Sequence, residues 1–429
     1  MKTKEEGIKN NLRLFPFTKA LGWDYLFFYA TIFLFLTQVK HISASNVILI
    51  DSFYALFGIL MQVPATFIID MFGRKKSIVL ANFLNCAYMV VILTSINLFN
   101  LIIAEILSAL AFAIKESAEP SLLNESIPNS KEKGKIFSKI NETGMANWYI
   151  LNSITTLLAG LFYTINPYIP IVLSLILNII VMLISLKFTE PFEMVNREEY
   201  EEDEEHNQFE EIKIAFKYIF KSERLKSLIL CSALVIGLMD MMHNYQVSLL
   251  EELNLSATFI CGAMAIIGIL AGIITKRQEK IHNKYRNKSL TVLLLSIAIS
   301  ILVSGIAGVM AVNEILWIGI IILAFIVWSC SRAIFCPLIE RYLRNFANEE
   351  IDSKIFVARN FLGSIMSAIV GLLGSFLLER LTTAYSTIIL GILIIIVSIL
   401  LINYMKKRVG LRPEEYSEEE RKYDELITK

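Results

Sequence analysis

The chain alternates between long apolar blocks and short polar connectors. The blocks run at about 18–38, 46–69, 77–97, 101–122, 143–164, 168–188, 227–249, 256–275, 289–311, 315–337, 355–378 and 384–405. Each is near the ~20 residues that an α-helix needs to cross a ~30 Å hydrocarbon core at ~1.5 Å per residue. The pattern predicts an all-α membrane protein with twelve transmembrane helices.

The connectors after blocks 1, 3, 5, 7, 9 and 11 are short, and those after blocks 2, 4, 6, 8 and 10 are longer and basic. Lysine and arginine concentrate on the cytoplasmic side of membrane proteins. With the N-terminus inside, the outer loops hold only Lys40 and Arg380. Clusters such as Arg74-Lys75-Lys76 and Lys406-Lys407-Arg408 then fall inside. Both termini are therefore expected in the cytoplasm. The stretch MKTKEEGIKNNLRLF carries no small-residue cleavage site and is not read as a signal peptide.

The longest connector splits the blocks into two sets of six. The expected organisation is an N-terminal bundle over 1–188, a cytoplasmic linker over 189–226, a C-terminal bundle over 227–405 and a tail over 406–429. The linker opens with an acidic run, Glu198 to Glu205, which reads as a solvated segment. Phe209, Ile212, Phe216, Ile219 and Phe220 then recur at helical spacing among charges. That pattern predicts an amphipathic helix on the inner leaflet.

Composition narrows the function. The 429 residues are 55% hydrophobic and only 19% charged, below the ~25% charged of soluble domains. Forty basic and forty acidic residues cancel, so no global field favours nucleic acid. Cys86, Cys231, Cys261, Cys330 and Cys336 lie in or at the ends of apolar blocks without a CxxC pair. They read as small apolar residues, neither disulfides nor metal ligands. No GxxxxGK[ST] loop or HExxH helix is present, so no metal or other cofactor is expected and a gradient must supply the energy. The outer loops are too short for a catalytic loop, so an enzyme is not expected.

Between blocks 2 and 3 stands VPATFIIDMFGRKKS, residues 63–77. Its Asp70, Gly73, Arg74, Lys75 and Lys76 resemble the G-x-x-x-D-R-x-G-R-K/R-K/R loop of the major facilitator superfamily. Thr66 and Met71 depart from that pattern. Gln62-Val63-Pro64 and ESAEPSLLNES at 116–126 resemble stretches of a bacterial, drug-efflux-like group within it. The resemblance implies two pseudo-symmetric six-helix bundles, related by an axis along the membrane normal and rocking about a central site. It also implies a gating role for the loop, in which Asp70 braces helix 2 against helix 11. Asp70 stands at a helix end, where a carboxylate can cap the positive N-terminus of another helix. Two features of drug/proton antiporters are missing: block 5 has no Gly-Pro pair, and Glu105 stands about where many of them keep an arginine.

Ionisable groups inside the membrane cost about 2.5–3.5 kcal/mol each on insertion scales and are functional by default. Blocks 1, 4, 7 and 10 carry Asp24, then Glu105, Lys115 and Glu116, then Asp240 and His243, then Arg332. The other blocks hold charges only near their ends, Asp51, Lys187 and Arg359 among them. In the superfamily these four helices line the cavity. Acids on helices 1 and 7 and bases on 4 and 10 predict acid–base pairs across neighbouring helices. Asp240, with His243 and Asn244 on the same helical face, is the leading candidate for a proton- or substrate-binding group. Gly363, Ser367 and Gly371, and Gly268 with Gly272, have the spacing of close helix crossings.

The sequence therefore predicts a multi-pass protein of a bacterial plasma membrane that works as a monomer. It would move a small organic molecule, including amphipathic ones, by proton-linked export. An importer or lipid-type flippase of the same fold, or a sensor that moves nothing, are the alternatives.

Overall fold

The computed structural model describes residues 4–128, 132–191, 222–285, 288–311, 315–346 and 352–406. The amphipathic helix expected at 209–220 and the acidic run lie outside the described residues. The elements are α1 (Lys4–Gly22), α2 (Ile32–Leu34, continued by a π-turn Phe35–Val39), α3 (Ala44–Leu60), α4 (Gln62–Phe72), α5 (Arg74–Thr94), α6 (Leu98–Ser126), α7 (Lys133–Ile165) and α8 (Ile169–Ser185). They continue with α9 (Glu223–Glu252), α10 (Ala257–Thr275), α11 (Gln278–Tyr285), α12 (Ser289–Met310), α13 (Ile315–Phe346), α14 (Asp352–Leu378) and α15 (Thr383–Lys406).

Among the described residues nine single helices are long and apolar enough to span a membrane, and the bent pair α3–α4 supplies a tenth. The broken stretch α1–α2 and the shorter apolar α8 occupy the two remaining blocks. Several helices start at side-chain caps. Ser43 accepts from Asn46 N, Asn97 from Asn100 N and Ser222 from Leu225 N.

Two blocks depart from a single straight helix. Block 2 bends by 49° between α3 and α4. Block 1 is interrupted: α1 begins as early as Lys4 and stops at Gly22, and turns occupy residues 23–31 before α2. Phe27 takes φ 66° there. A bulky residue in that left-handed region costs about 1–3 kcal/mol, which the surrounding packing must offset.

The chain forms two compact units. The first contains Met1–Glu198 together with Leu255–Ala265, and the second contains Glu199–Asn254 with Ile266–Lys429. Leu255–Ala265 is the start of α10, which block order assigns to the second half. Its Thr258 donates to Gly160 O at 3.1 Å, and Cys261 Sγ lies 3.5 Å from Ala30 O.

In the first unit an alanine face of α6 lets α4 and α5 approach closely. Ala111, Ala118 and Ala81 are fully buried with Ile69, Ile78 and Leu122. The start of α1 is tied to distant chain: Asn11 Nδ2 donates to Ser126 Oγ and Thr189 O, and Asn11 Oδ1 accepts from Thr189 N.

In the second unit α12 and α15 cross at glycines. A Cβ on Gly305 would meet Ile388 N at 2.7 Å, and one on Gly391 would meet Leu302 Cα at 2.7 Å. Gly363 packs on Ile236 in the same way, a Cβ there lying 2.7 Å from its Cγ2. Gly268 and Gly272 correct the expectation drawn from spacing, since a Cβ on either would meet nothing within 4 Å.

Candidate functional site

The charges of blocks 1 and 4 converge at the break in helix 1. Lys115 of α6 donates from Nζ to the carbonyl oxygen of Gly22, the last residue of α1. A helix C-terminus leaves carbonyls without intrahelical partners and carries partial negative charge, so a cation there satisfies both. Gly22 makes room for this contact: a Cβ would lie 2.9 Å from Val181 Cγ1 and 3.4 Å from Lys115 Nζ.

Lys115 also pairs with Glu119 one turn on, Nζ to Oε1 3.7 Å, and Lys19 of α1 approaches the other oxygen at 3.6 Å. The three residues are only 4%, 6% and 5% exposed, so the carboxylate is shared by two desolvated ammonium groups. Lys19 Nζ further lies 3.7 Å from the centre of the Trp23 ring, a cation–π contact. Asp24, half-buried in the break, accepts from Tyr25 N at 2.7 Å and lies within electrostatic reach of Lys115. Glu116 projects from an exposed face of α6, within reach of Lys19.

The break itself is held from inside the unit. The Tyr25 hydroxyl donates to Asn85 Oδ1 at 2.8 Å and lies 3.0 Å from Ser108 Oγ. Its ring stacks on Tyr88 at 4.9 Å and meets Phe28 and Phe112 edge-on. Glu105, Ser108, Phe112, Lys115 and Glu119 recur at alternating steps of three and four residues, so α6 presents them on one face.

Lys19 and Glu119 are not among the site residues expected from sequence, because both stand near block ends. The periodic stripe on α6 is the available signal for Glu119. Across helices 1 and 4, Lys115 meets the Gly22 carbonyl, and its carboxylate partner Glu119 stands on its own helix.

Asp240 stands on an exposed face of α9 and His243 is half-buried. The Arg332 guanidinium lies 5.3 Å from the Trp328 ring, and its Nε has no hydrogen-bond partner among the described residues. Among the described residues of this unit the buried guanidinium is that of Arg359, expected only near a block end. It donates from Nη1 to Glu340 at 2.8 Å and from Nε to Ser232 Oγ at 2.5 Å.

The basic loop is tied within the first unit. Gly73 takes φ 82°, which lets the chain turn from α4 into α5. Glu190 caps α5: its two oxygens accept from Arg74 N at 3.1 Å and Lys75 N at 2.8 Å. Asp70 lies 3.9 Å from the Arg74 guanidinium, which also reaches Glu125 at 3.3 Å. Lys76, next on α5, is exposed.

Comparison with known proteins gives the same architecture. A family profile described as Major Facilitator Superfamily matches residues 17–369. No curated protein matches the chain in sequence. The solved nucleoside transporter NupG aligns with TM-score 0.69 at 12% identity, covering 93% of this chain and 99% of that one. A POT family transporter in complex with a thioalcohol-conjugated peptide aligns at 0.68 and 12%, covering 94% and 96%. A D-xylose–proton symporter aligns at 0.63 and 14%, covering 93% and 97%. At these identities the likeness concerns the fold alone.

Proposed function

Because the chain belongs to the Major Facilitator Superfamily, we propose that it is a secondary active transporter that moves a small organic molecule by alternating access, coupled to protons. The supporting observation is the break in helix 1. There Asp24 lies in unwound backbone, and Lys19, Lys115 and Glu119 depend on one another for charge compensation. Interrupted membrane helices place polar backbone and charges where ions and substrates bind. A proton on Glu119 or Asp24 removes the partner that holds Lys115, so protonation and the geometry of the break are linked. A substrate whose polar or charged group takes up the released lysine would bind in exchange.

The site is built on the first unit, in a multi-pass protein of a bacterial plasma membrane with both termini in the cytoplasm. The efflux-like loop motifs favour export. The D-xylose–proton symporter among the structural relatives favours uptake. Accumulation in vesicles of known orientation separates the two.

The test is reconstitution in liposomes under an imposed pH gradient. The panel covers nucleosides, short peptides, pentoses, lipophilic cations and lysolipids. Gradient-driven flux of one class, lost in Asp24→Asn and Glu119→Gln, supports the reading. Flux unchanged in both variants removes these residues from coupling. Binding without flux for every compound would mark a sensor instead.

A further inference from the structure

Two arginines of the second unit stand in opposite surroundings. Arg359 of α14 is buried and its charge is met, by Glu340 at 2.8 Å and by the Ser232 hydroxyl at 2.5 Å. Arg332 of α13 has no such company. Among the described residues no carboxylate lies within ion-pair distance of its guanidinium, and its Nε is buried without an acceptor. The group it does meet is Trp328, one turn earlier on the same helical face, whose ring centre lies 5.3 Å from the guanidinium carbon. Trp328 is 5% exposed, and its indole Nε1 is likewise buried without an acceptor. Arg332 as a whole is only half-buried, so part of the guanidinium is open to a ligand while Nε is closed to water. It stands 11 residues from the nearer end of the apolar stretch Ile315–Leu343, about 16 Å along the helix. A charge that far inside an apolar span is rarely accidental.

Two donor groups held together without acceptors define what would satisfy them. A guanidinium offers five N–H donors in a rigid plane and no acceptor, and an indole offers one N–H and no acceptor. They attract each other through the ring face, which leaves both sets of N–H groups unused. A second cation would be repelled, and a neutral donor would bring no lone pair. A carboxylate or a phosphate brings both the opposite charge and the lone pairs, and it matches the guanidinium fork with two parallel hydrogen bonds. We propose that Arg332 and Trp328 form an anion-binding subsite in the second unit, and that the ligand of this protein carries a carboxylate or phosphate group.

The local geometry suits that task. The indole ring holds the cation before a ligand arrives, so less side-chain freedom is lost on binding. The acid two turns further along α13, Glu340, is engaged by Arg359 and leaves the charge of Arg332 to an external partner. As a statement of substrate class, the inference rests on the transport reading given above. Binding itself needs neither a gradient nor a proton, so the two readings can fail separately.

The experiment is equilibrium binding to the full-length protein in liposomes without a gradient, followed by calorimetry and by tryptophan emission. The probes come in pairs that differ in charge: a nucleoside monophosphate and its nucleoside, acetylated dialanine and its amide, a pentonic acid and its pentose. In at least one pair the anion is expected to bind at least about tenfold more tightly than its neutral partner, and Arg332→Gln should erase that preference. Whether the phosphate or a carboxylate is preferred identifies the group. Trp328→Phe keeps an aromatic face but loses the N–H, so it should weaken the anion and remove the emission change on binding. Should Arg332→Gln not fold, Arg332→Lys serves: the charge stays and the fork goes, so the preferred anion must weaken while its neutral partner does not. Equal affinity within every pair, or a preference unchanged in the Arg332 variants, overturns the proposal. Gradient-driven flux of uncharged compounds alone would also overturn it and leave the transport reading standing. Anion binding without flux of any compound would do the reverse.

Discussion

Lys115 closes α1 by donating to the carbonyl of Gly22, so one helix of the first unit is terminated by a cation from another. Because the same ammonium also faces Glu119, the end of α1 and the charge state of α6 cannot change independently.

Lys115→Met is expected to leave the Gly22 carbonyl without its donor and Glu119 with Lys19 alone. An unsatisfied buried acceptor costs about 1–3 kcal/mol. Thermal unfolding in detergent should show that loss, and flux should fall by about tenfold or more, the factor that ~1.4 kcal/mol represents. Unchanged stability would mean that the carbonyl finds another donor. Gly22→Val should weaken the same contact from the other side, since its Cβ comes within 3.4 Å of Lys115 Nζ.

Asp24→Asn should impair gradient-driven transport more than Asp240→Asn. Asp24 lies in the break two residues past the Gly22 carbonyl that Lys115 holds, whereas Asp240 stands on an exposed face. Initial rates under equal pH gradients check the order. The reverse order would return the coupling role to α9.

Glu190→Ala should remove the cap from α5 and cost about 0.5–2 kcal/mol, the usual range for loss of an N-terminal side-chain acceptor. Asp70→Asn should cost less, because its contact with Arg74 at 3.9 Å is half exposed to solvent and such pairs contribute about 0–1 kcal/mol. Unfolding temperatures of the two variants make the comparison. Equal losses would contradict the assignment of the cap to Glu190.

Gly305→Val and Gly391→Val should each destabilise by about 1–3 kcal/mol, because the added side chain meets backbone of the crossing helix. Gly268→Ala meets no neighbour and gains helix propensity, so its expected effect is neutral or stabilising by up to about 1 kcal/mol. Parallel melting curves test the contrast.

The spans were legible because apolar runs long enough to cross a bilayer are rare in chains that stay in water. That charges in such runs need partners was legible; that Lys115 finds its own in the Gly22 carbonyl and in Glu119 of the same helix was not. The break was not, since WDYLFFYAT at 23–31 holds no proline or glycine and reads as continuous helix. It is imposed from outside, by the ammonium on Gly22 O and by the burial of Tyr25 and Phe28. Lys19 and Glu119 were not legible because each stands near a block boundary. There a charge reads as an interfacial residue, and only the fold shows it buried. Glu190 shows a further limit: the cap on α5 comes from beyond the end of α8, where no block pattern points.

A continuous helix transmits a push or twist along its whole length as a stiff rod. Helix 1 keeps only part of its hydrogen-bond ladder over residues 23–31, Tyr29 N still donating to Tyr25 O at 3.1 Å, so it behaves as two short rods joined by a jointed link. Displacement of α1 at the end that carries Asn11 need not reach α2. Each segment follows the helices it is packed against, and the stiffness of the joint is set by side chains around it. Spin labels placed on the two segments should accordingly report separate motions.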